Sequence, residues 1–230
     1  MEESLDELRE KGQVELVKKI EYKIDTAKEQ GELMGEHLQK VLRRVEFDSG
    51  LITTNGAISF DVHFGNEIEA LKRFRPKRLV VTENSEPNEW ERLAHGDIAS
   101  CKKLVIETLG KGMDFEYSAR DLHHALVVLE VRKTNDYGLI TWLNIWPMAI
   151  NPDIGTIPRS ITVEDFIIKT SKFINPKGLI LLSAQEGDNS VENAFLDISN
   201  RGIEGYKLES FAFPGKAGNR FLAVKKTFPE

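Results

Sequence analysis

Thr162–Ser183 reads TVEDFIIKTSKFINPKGLILLS, and this stretch holds a helix start, a helix stop and a buried strand in succession. Thr162 followed by Glu164 and Asp165 resembles a capping box, in which a hydroxyl satisfies an early helical N–H and carboxylates face the positive helix end. Phe166, Ile167, Thr170, Phe173 and Ile174 recur at helical spacing, so the pattern predicts one buried helix face. Asn175-Pro176-Lys177-Gly178 stops that helix, because proline lacks the N–H that would continue it. Leu179–Ser183 (LILLS) is then apolar on consecutive positions, which predicts a strand covered on both faces.

The same alternation continues outward. A helix is expected near Asn189–Asn200 with Gly202 as its cap, followed by strands at Tyr206–Phe213 and Arg220–Lys226 around the turn-rich loop 214–218. Toward the N-terminus, Gly138–Ile145 (GLITWLNI) is a strand and Leu122–Val131 leans helical at its start. Phe115–Ser118 is a candidate strand, Pro87–Leu109 a helix, and Lys77–Thr82 a short buried strand. Asn66–Phe74 reads as a helix closed by Pro76. Asn55-Gly56 lies between the β-prone runs Leu51–Thr54 and Ala57–Val62, which predicts a hairpin turn. Strands separated by helices of ten or more residues require crossover connections. The fold expected is therefore α/β, a Rossmann-like, mostly parallel sheet with helices on both faces and an antiparallel C-terminal strand pair.

Residues 1–46 differ from the rest. Leu16, Ile20, Ile24 and Ala27, then Met34, Leu38, Val41 and Val45, mark two amphipathic helices with a break near Gly31. Two units are expected: an N-terminal helical extension or lid over 1–46, which could also form a homodimer seam, and an α/β domain over 47–230.

Composition narrows the class. Hydrophobic residues make up 40% and charged residues 30%, as in a folded globular chain. The net charge of −6 gives no field favouring nucleic acid over the whole surface, although Lys72, Arg73, Arg75, Lys77 and Arg78 cluster locally, most simply as a solvated helix end. The single cysteine, Cys101, excludes an intrachain disulfide and a cysteine-based metal site. The N-terminus lacks the cationic and apolar regions of a signal peptide, and no apolar run approaches the roughly 18–20 residues that span a bilayer. A cytoplasmic location is expected.

The plan of Thr162–Lys226, with NPKGLILL at its turn and strand, resembles the class I S-adenosylmethionine-dependent methyltransferases, and the resemblance extends back to about Ile58. In that family an acidic residue and glycines follow the first strand and receive the methionine part of the cofactor. Here Asp61 matches the acidic position and Gly65 a central glycine. His63 and Glu67 stand where the family has glycines, and side chains there narrow the backbone approach. Glu83, 22 positions after Asp61, matches the acid that accepts hydrogen bonds from ribose hydroxyls. Asp121 falls where the adenine would be contacted. Trp142, Asn144 and Trp146 occupy the segment where the family places substrate groups. Tryptophans at a strand end offer either a stacking wall or core packing. Asp97, His123 and His124 are candidate bases by residue type alone. The resemblance thus implies S-adenosylmethionine as cofactor and methyl transfer to an unidentified acceptor.

Two other readings stand beside it. Asp61-Val62-His63 is the Asp-x-His pair that opens a two-metal phosphoesterase site, with Gly96-Asp97 as a second ligand pair and His95, His123 and His124 as further ligands. The Gly-Asn-His turn and the later His-x-His of that family do not occur. The altered glycine loop also suits a non-catalytic binding module on the same sheet. Nucleophile-elbow, phosphate-loop and nicotinamide fingerprints are absent from the chain.

Overall fold

The computed structural model describes residues 5–60, 66–83, 98–119, 122–132, 136–145, 147–150, 161–184, 189–214 and 220–227. Seven strands form one sheet: β1 (Ala57–Phe60), β2 (Arg78–Glu83), β3 (Asp114–Ala119), β4 (Tyr137–Ile145), β5 (Ile174–Ala184), β6 (Tyr206–Ala212) and β7 (Arg220–Lys226). Their spatial order is β3-β2-β1-β4-β5-β7-β6. The first five are mutually parallel, and β7 enters antiparallel between β5 and β6. This is the Rossmann-like mixed sheet expected from the sequence.

Alternation along the strands sends side chains to two separate cores. Ala57, Leu79, Val81, Leu139, Leu179 and Leu181 face one cluster. Over it lie α2 (Val14–Arg44), α4 (Asn66–Lys72) and α5 (Ile98–Leu109), through Leu38, Val41, Leu71 and Val105. Ile58, Phe60, Val80, Ile140, Trp142, Ile180 and Leu182 face the other cluster. That face is covered by α6 (Leu122–Arg132), α8 (Val163–Thr170) and α9 (Asn189–Arg201), through Leu126, Phe166 and Phe195; a short α7 (Pro147–Ile150) precedes α8. Both sheet faces are dry, which explains why Leu179–Ser183 reads as a continuous apolar run.

The Thr162 cap forms as expected, its Oγ1 accepting from the Asp165 N–H at 3.1 Å. The helix it opens ends at Thr170, not at Ile174: the Thr170 hydroxyl turns back onto the Phe166 carbonyl at 2.6 Å. Phe173 and Ile174 are buried beyond the helix, Ile174 as the first residue of β5, and Asn175-Pro176 lies within that strand. Gly202 caps α9 with φ +73°.

Two further expectations are corrected. Asn55-Gly56 is no hairpin turn, because Gly50–Asn55 is a helix, α3, and Gly56 at φ +94° is its C-terminal cap. The β-branched threonines tolerate the helix by donating their hydroxyls to the Gly50 carbonyl, Thr53 at 2.8 Å and Thr54 at 3.0 Å. Ile52 is then fully buried against the sheet. The N-terminal break also moves. The short α1 (Leu5–Glu10) is separated from α2 by a turn at Gly12, φ +73°, and α2 runs unbroken through Gly31 for 31 residues. The second half of α2 belongs to the sheet core through Met34, Leu38, Val41, Leu42 and Val45. The first half packs with α1 around Leu5, Leu8, Val17 and Ile20.

Candidate functional site

The connections of this sheet change direction between β1 and β4. From β1 the chain builds outward through β2 and β3, then returns to place β4 and β5 on the other side. Crevices at such switch points, at the carboxyl ends of the strands, are where open α/β sheets bind ligands. The registers bring the expected positions to this edge. Phe60 pairs with Thr82 on one side and Trp142 on the other, so the end of β1 lies beside Glu83, the last residue of β2. Glu83 itself pairs with Ala119, which leads to residues 120 and 121. Asp61, His63, Gly65, Asp121 and Trp146 lie outside the described residues, as do His95 and Asp97, and the description of Glu83 is confined to its backbone. His123 and His124, half-buried and exposed, sit on the first turn of α6 at the same edge.

Trp142 is 1% exposed. Its ring packs against Phe166 at 4.6 Å, and Phe166 meets Phe60 edge-on at 5.3 Å. The residue is part of the core, the alternative to a stacking wall that the sequence left open.

Asn144 lies closer to the edge and has an unusual backbone, φ +58°. Its N–H donates to Ser183 Oγ at 2.7 Å, and that hydroxyl contacts Met34 Sδ on α2 at 3.8 Å. A row of hydroxyls continues inward on the same sheet face, where Thr141 Oγ1 donates to Ser59 Oγ at 2.8 Å. Since Met34 meets the end of β5 and Glu46–Asp48 lie beside Pro176 at its start, α2 runs antiparallel to the strands. Residues 14–33 therefore project past the carboxyl edge, by roughly 30 Å at 1.5 Å per residue.

Between β2, β3 and α6 lies a cavity of about 160 Å³. Thr82 and Ser118 line its end near Glu83, and Val80, Ala125 and Leu129 line its wall. Arg132 and Glu116 close the far end with an ion pair at 2.5 Å, whose hydrogen bond holds Arg132 above its ordinary pKa. Ser183, Thr82 and Ser118 escaped the sequence reading. The available signal was a polar residue ending each apolar strand run.

Solved structures carry this architecture at very low sequence identity. The O-methyltransferase TomG from Streptomyces achromogenes, solved with SAM, is 14% identical with a TM-score of 0.52 over 86% of this chain and 80% of that one. The fold is that of the class I methyltransferases. Cofactor-bound Rv0187 from MTB gives a TM-score of 0.53 at 12% identity, over 90% and 89% of the two chains. An O-methyltransferase from Bacillus cereus in complex with SAH gives 0.50 at 13%, over 84% and 90%. No family model and no curated protein matches the sequence. Within this methyltransferase fold, the carboxyl edge of β1, β2 and β4 corresponds to the edge assigned to the cofactor by the sequence resemblance.

No described helix is long and apolar enough to cross a membrane. Among the described residues no group of three or more His, Cys, Asp or Glu side chains could hold a metal ion. The Asp61 and His63 pair of the phosphoesterase reading lies outside them.

Proposed function

We propose that the chain is an S-adenosylmethionine-dependent methyltransferase whose cofactor lies across the carboxyl ends of β1 and β2. The observation that carries this reading is the meeting of Phe60, Thr82 and Glu83 at the switch point, which brings a carboxylate residue to the end of β1. Two ribose hydroxyls need an acceptor at a strand end, and Glu83 is the residue at that place. The cavity between Thr82, Ser118 and Ala125 supports a base-binding role beside it. Asp61 and Gly65 would receive the methionine part, with His63 limiting how closely the backbone approaches, and Asp121 would border the adenine.

Bound cofactor supplies an electrophilic methyl on a sulfonium. This chain's own residues bind and orient, since transfer to a nucleophilic acceptor depends chiefly on alignment. Asn144 and the projecting part of α2 frame the acceptor side, Trp146 would belong to it, and among the described residues His123 and His124 are the histidines nearest the edge. The acceptor is a nucleophilic small molecule or macromolecule.

Calorimetric titration with S-adenosylmethionine and S-adenosylhomocysteine, repeated on Glu83→Ala, tests the reading. Micromolar binding that weakens in the variant is expected. No heat and no thermal stabilisation at millimolar ligand would sink it and leave the non-catalytic module, the reading favoured by side chains at His63 and Glu67 where glycines are expected.

A further inference from the structure

We propose that the amino-terminal edge of the sheet, opposite the candidate cofactor edge, is a groove that binds the phosphate backbone of a single-stranded nucleic acid. A groove of about 590 Å³ opens there between the end of α2, the start of β5 and the end of β7. Its cations are Lys177, Lys225 and Lys226, and its apolar surface is Phe47 and Pro176. Among the described residues these three lysines make no ion pair within 4 Å.

The β6–β7 register sets Lys207 directly opposite Lys225. Like charges facing each other on an antiparallel pair are unfavourable, and an anion between them offsets that cost. Lys207 has Glu209 at 2.7 Å, whereas burial, then Lys207, pushes the Lys225 ammonium below its ordinary pKa; burial alone does so for Lys226. The groove's carboxylates oppose this only in part. Asp48 Oδ1 already accepts the Gly50 N–H at 3.0 Å, and Glu46 is shared between Lys207 and Lys225.

Further cations stand at the same edge, beyond the exposed Asp136 that precedes β4. Arg73, Arg75 and Lys77 are exposed on the turn into β2 at the same edge. β2 stands four strand spacings from β7, so this second cation group lies about 19 Å from the groove at ~4.8 Å per strand. Cations at helix carboxyl ends have a ready explanation in the helix dipole. Lys177, Lys207, Lys225 and Lys226 belong to strands, and the chain's net charge is −6. A basic track beside a half-buried phenylalanine fits a polymer that offers phosphates and flat bases together. A lone phosphate would leave the apolar surface of Phe47 and Pro176 unused.

The test is fluorescence anisotropy with a labelled twelve-nucleotide oligouridylate between 50 and 200 mM NaCl. The variant Lys177→Gln/Lys225→Gln/Lys226→Gln is compared with the charge-matched control Lys11→Gln/Lys40→Gln/Lys103→Gln and with arginine at the three groove positions. Removing three phosphate contacts lowers the log–log salt slope by about 2, at ~0.7 per contact on a single strand. The expected result is at least a tenfold loss at 50 mM NaCl in the glutamine variant, a less than twofold change in the control, and retention in the arginine variant. Three results would overturn the proposal: no binding by the unaltered chain at 50 mM NaCl, equal losses in groove variant and control, or preference for phosphatidylserine vesicles over the oligonucleotide. Cofactor titration reads the other edge, so the two proposals fail separately.

Discussion

The Asn144 N–H donates to Ser183 Oγ across 2.7 Å while the Asn144 backbone holds φ +58°. Three steps along β4, from Trp142 to Ile145, match two along β5, from Leu182 to Ala184. Asn144 is the extra residue of a β-bulge, and it resets the alternation so that Trp142 and Ile145 face the same cluster. Asparagine tolerates the left-handed region where a β-branched residue does not. Ser183→Ala is expected to cost about 1–3 kcal/mol by stranding a partly buried donor. Asn144→Val is expected to cost about 1–2 kcal/mol and Asn144→Gly much less. Urea unfolding checks all three, and a Val variant as stable as the parent would show that the bulge relaxes.

Trp142 supplies a sharper distinction. As a buried partner of Phe166 it should cost about 3–5 kcal/mol when cut to alanine. A tryptophan in a substrate wall would instead lose ligand binding at nearly unchanged stability, which a denaturation curve and a cofactor titration on the same variant separate.

Gly56 is a backbone requirement. An added Cβ would stand 2.2 Å from the Arg78 carbonyl oxygen, and φ is already +94°. Gly56→Ala combines a left-handed strain of about 1–2 kcal/mol with an overlap against main chain that no rotamer relieves. A lowered thermal midpoint or failure to fold is expected, whereas Gly202→Ala, with open space around its Cβ, should lose only the conformational part.

Lys226 gives a pH-dependent result. Burial lowers its folded pKa below 10.5, so the charged form is disfavoured in the native state. The stability cost is fully present below the folded pKa and is relieved as pH rises toward the unfolded value. Lys226→Met is therefore expected to raise the thermal midpoint at pH 7, with the gain over the parent shrinking as pH rises toward 10.5. An equal gain at every pH would assign the effect to packing instead of charge.

Much of the sheet was legible because its strands are buried on both faces. Leu179–Leu182 announces itself by an uninterrupted apolar run, Leu139–Leu143 by one broken only at Thr141, and β7 occupies Arg220–Lys226 as read. Local chemistry misled where a tertiary contact outweighed it. Asn55-Gly56 has a turn's composition, yet Ile52 gains full burial against the sheet only if Gly50–Asn55 coils into a helix. Gly31 looked like a break, but α2 carries it because the helix is anchored further along by Leu38 and Val41. At the candidate site, Glu83 could be picked out by its place at a strand end. The Asn144–Ser183 contact could not, because its partners are 39 residues apart and meet only through a register shift.

The sequence by itself determined the alternation of strands and helices, the Thr162 cap and the antiparallel ending, because hydrophobic period and capping chemistry act over a few residues. The tertiary structure decided which strand lies beside which, the reversal between β1 and β4, the burial of Trp142 and the gathering of Lys177, Lys225 and Lys226 at one edge. Those relations depend on pairing and packing between segments far apart in the chain, where no local periodicity carries a signal.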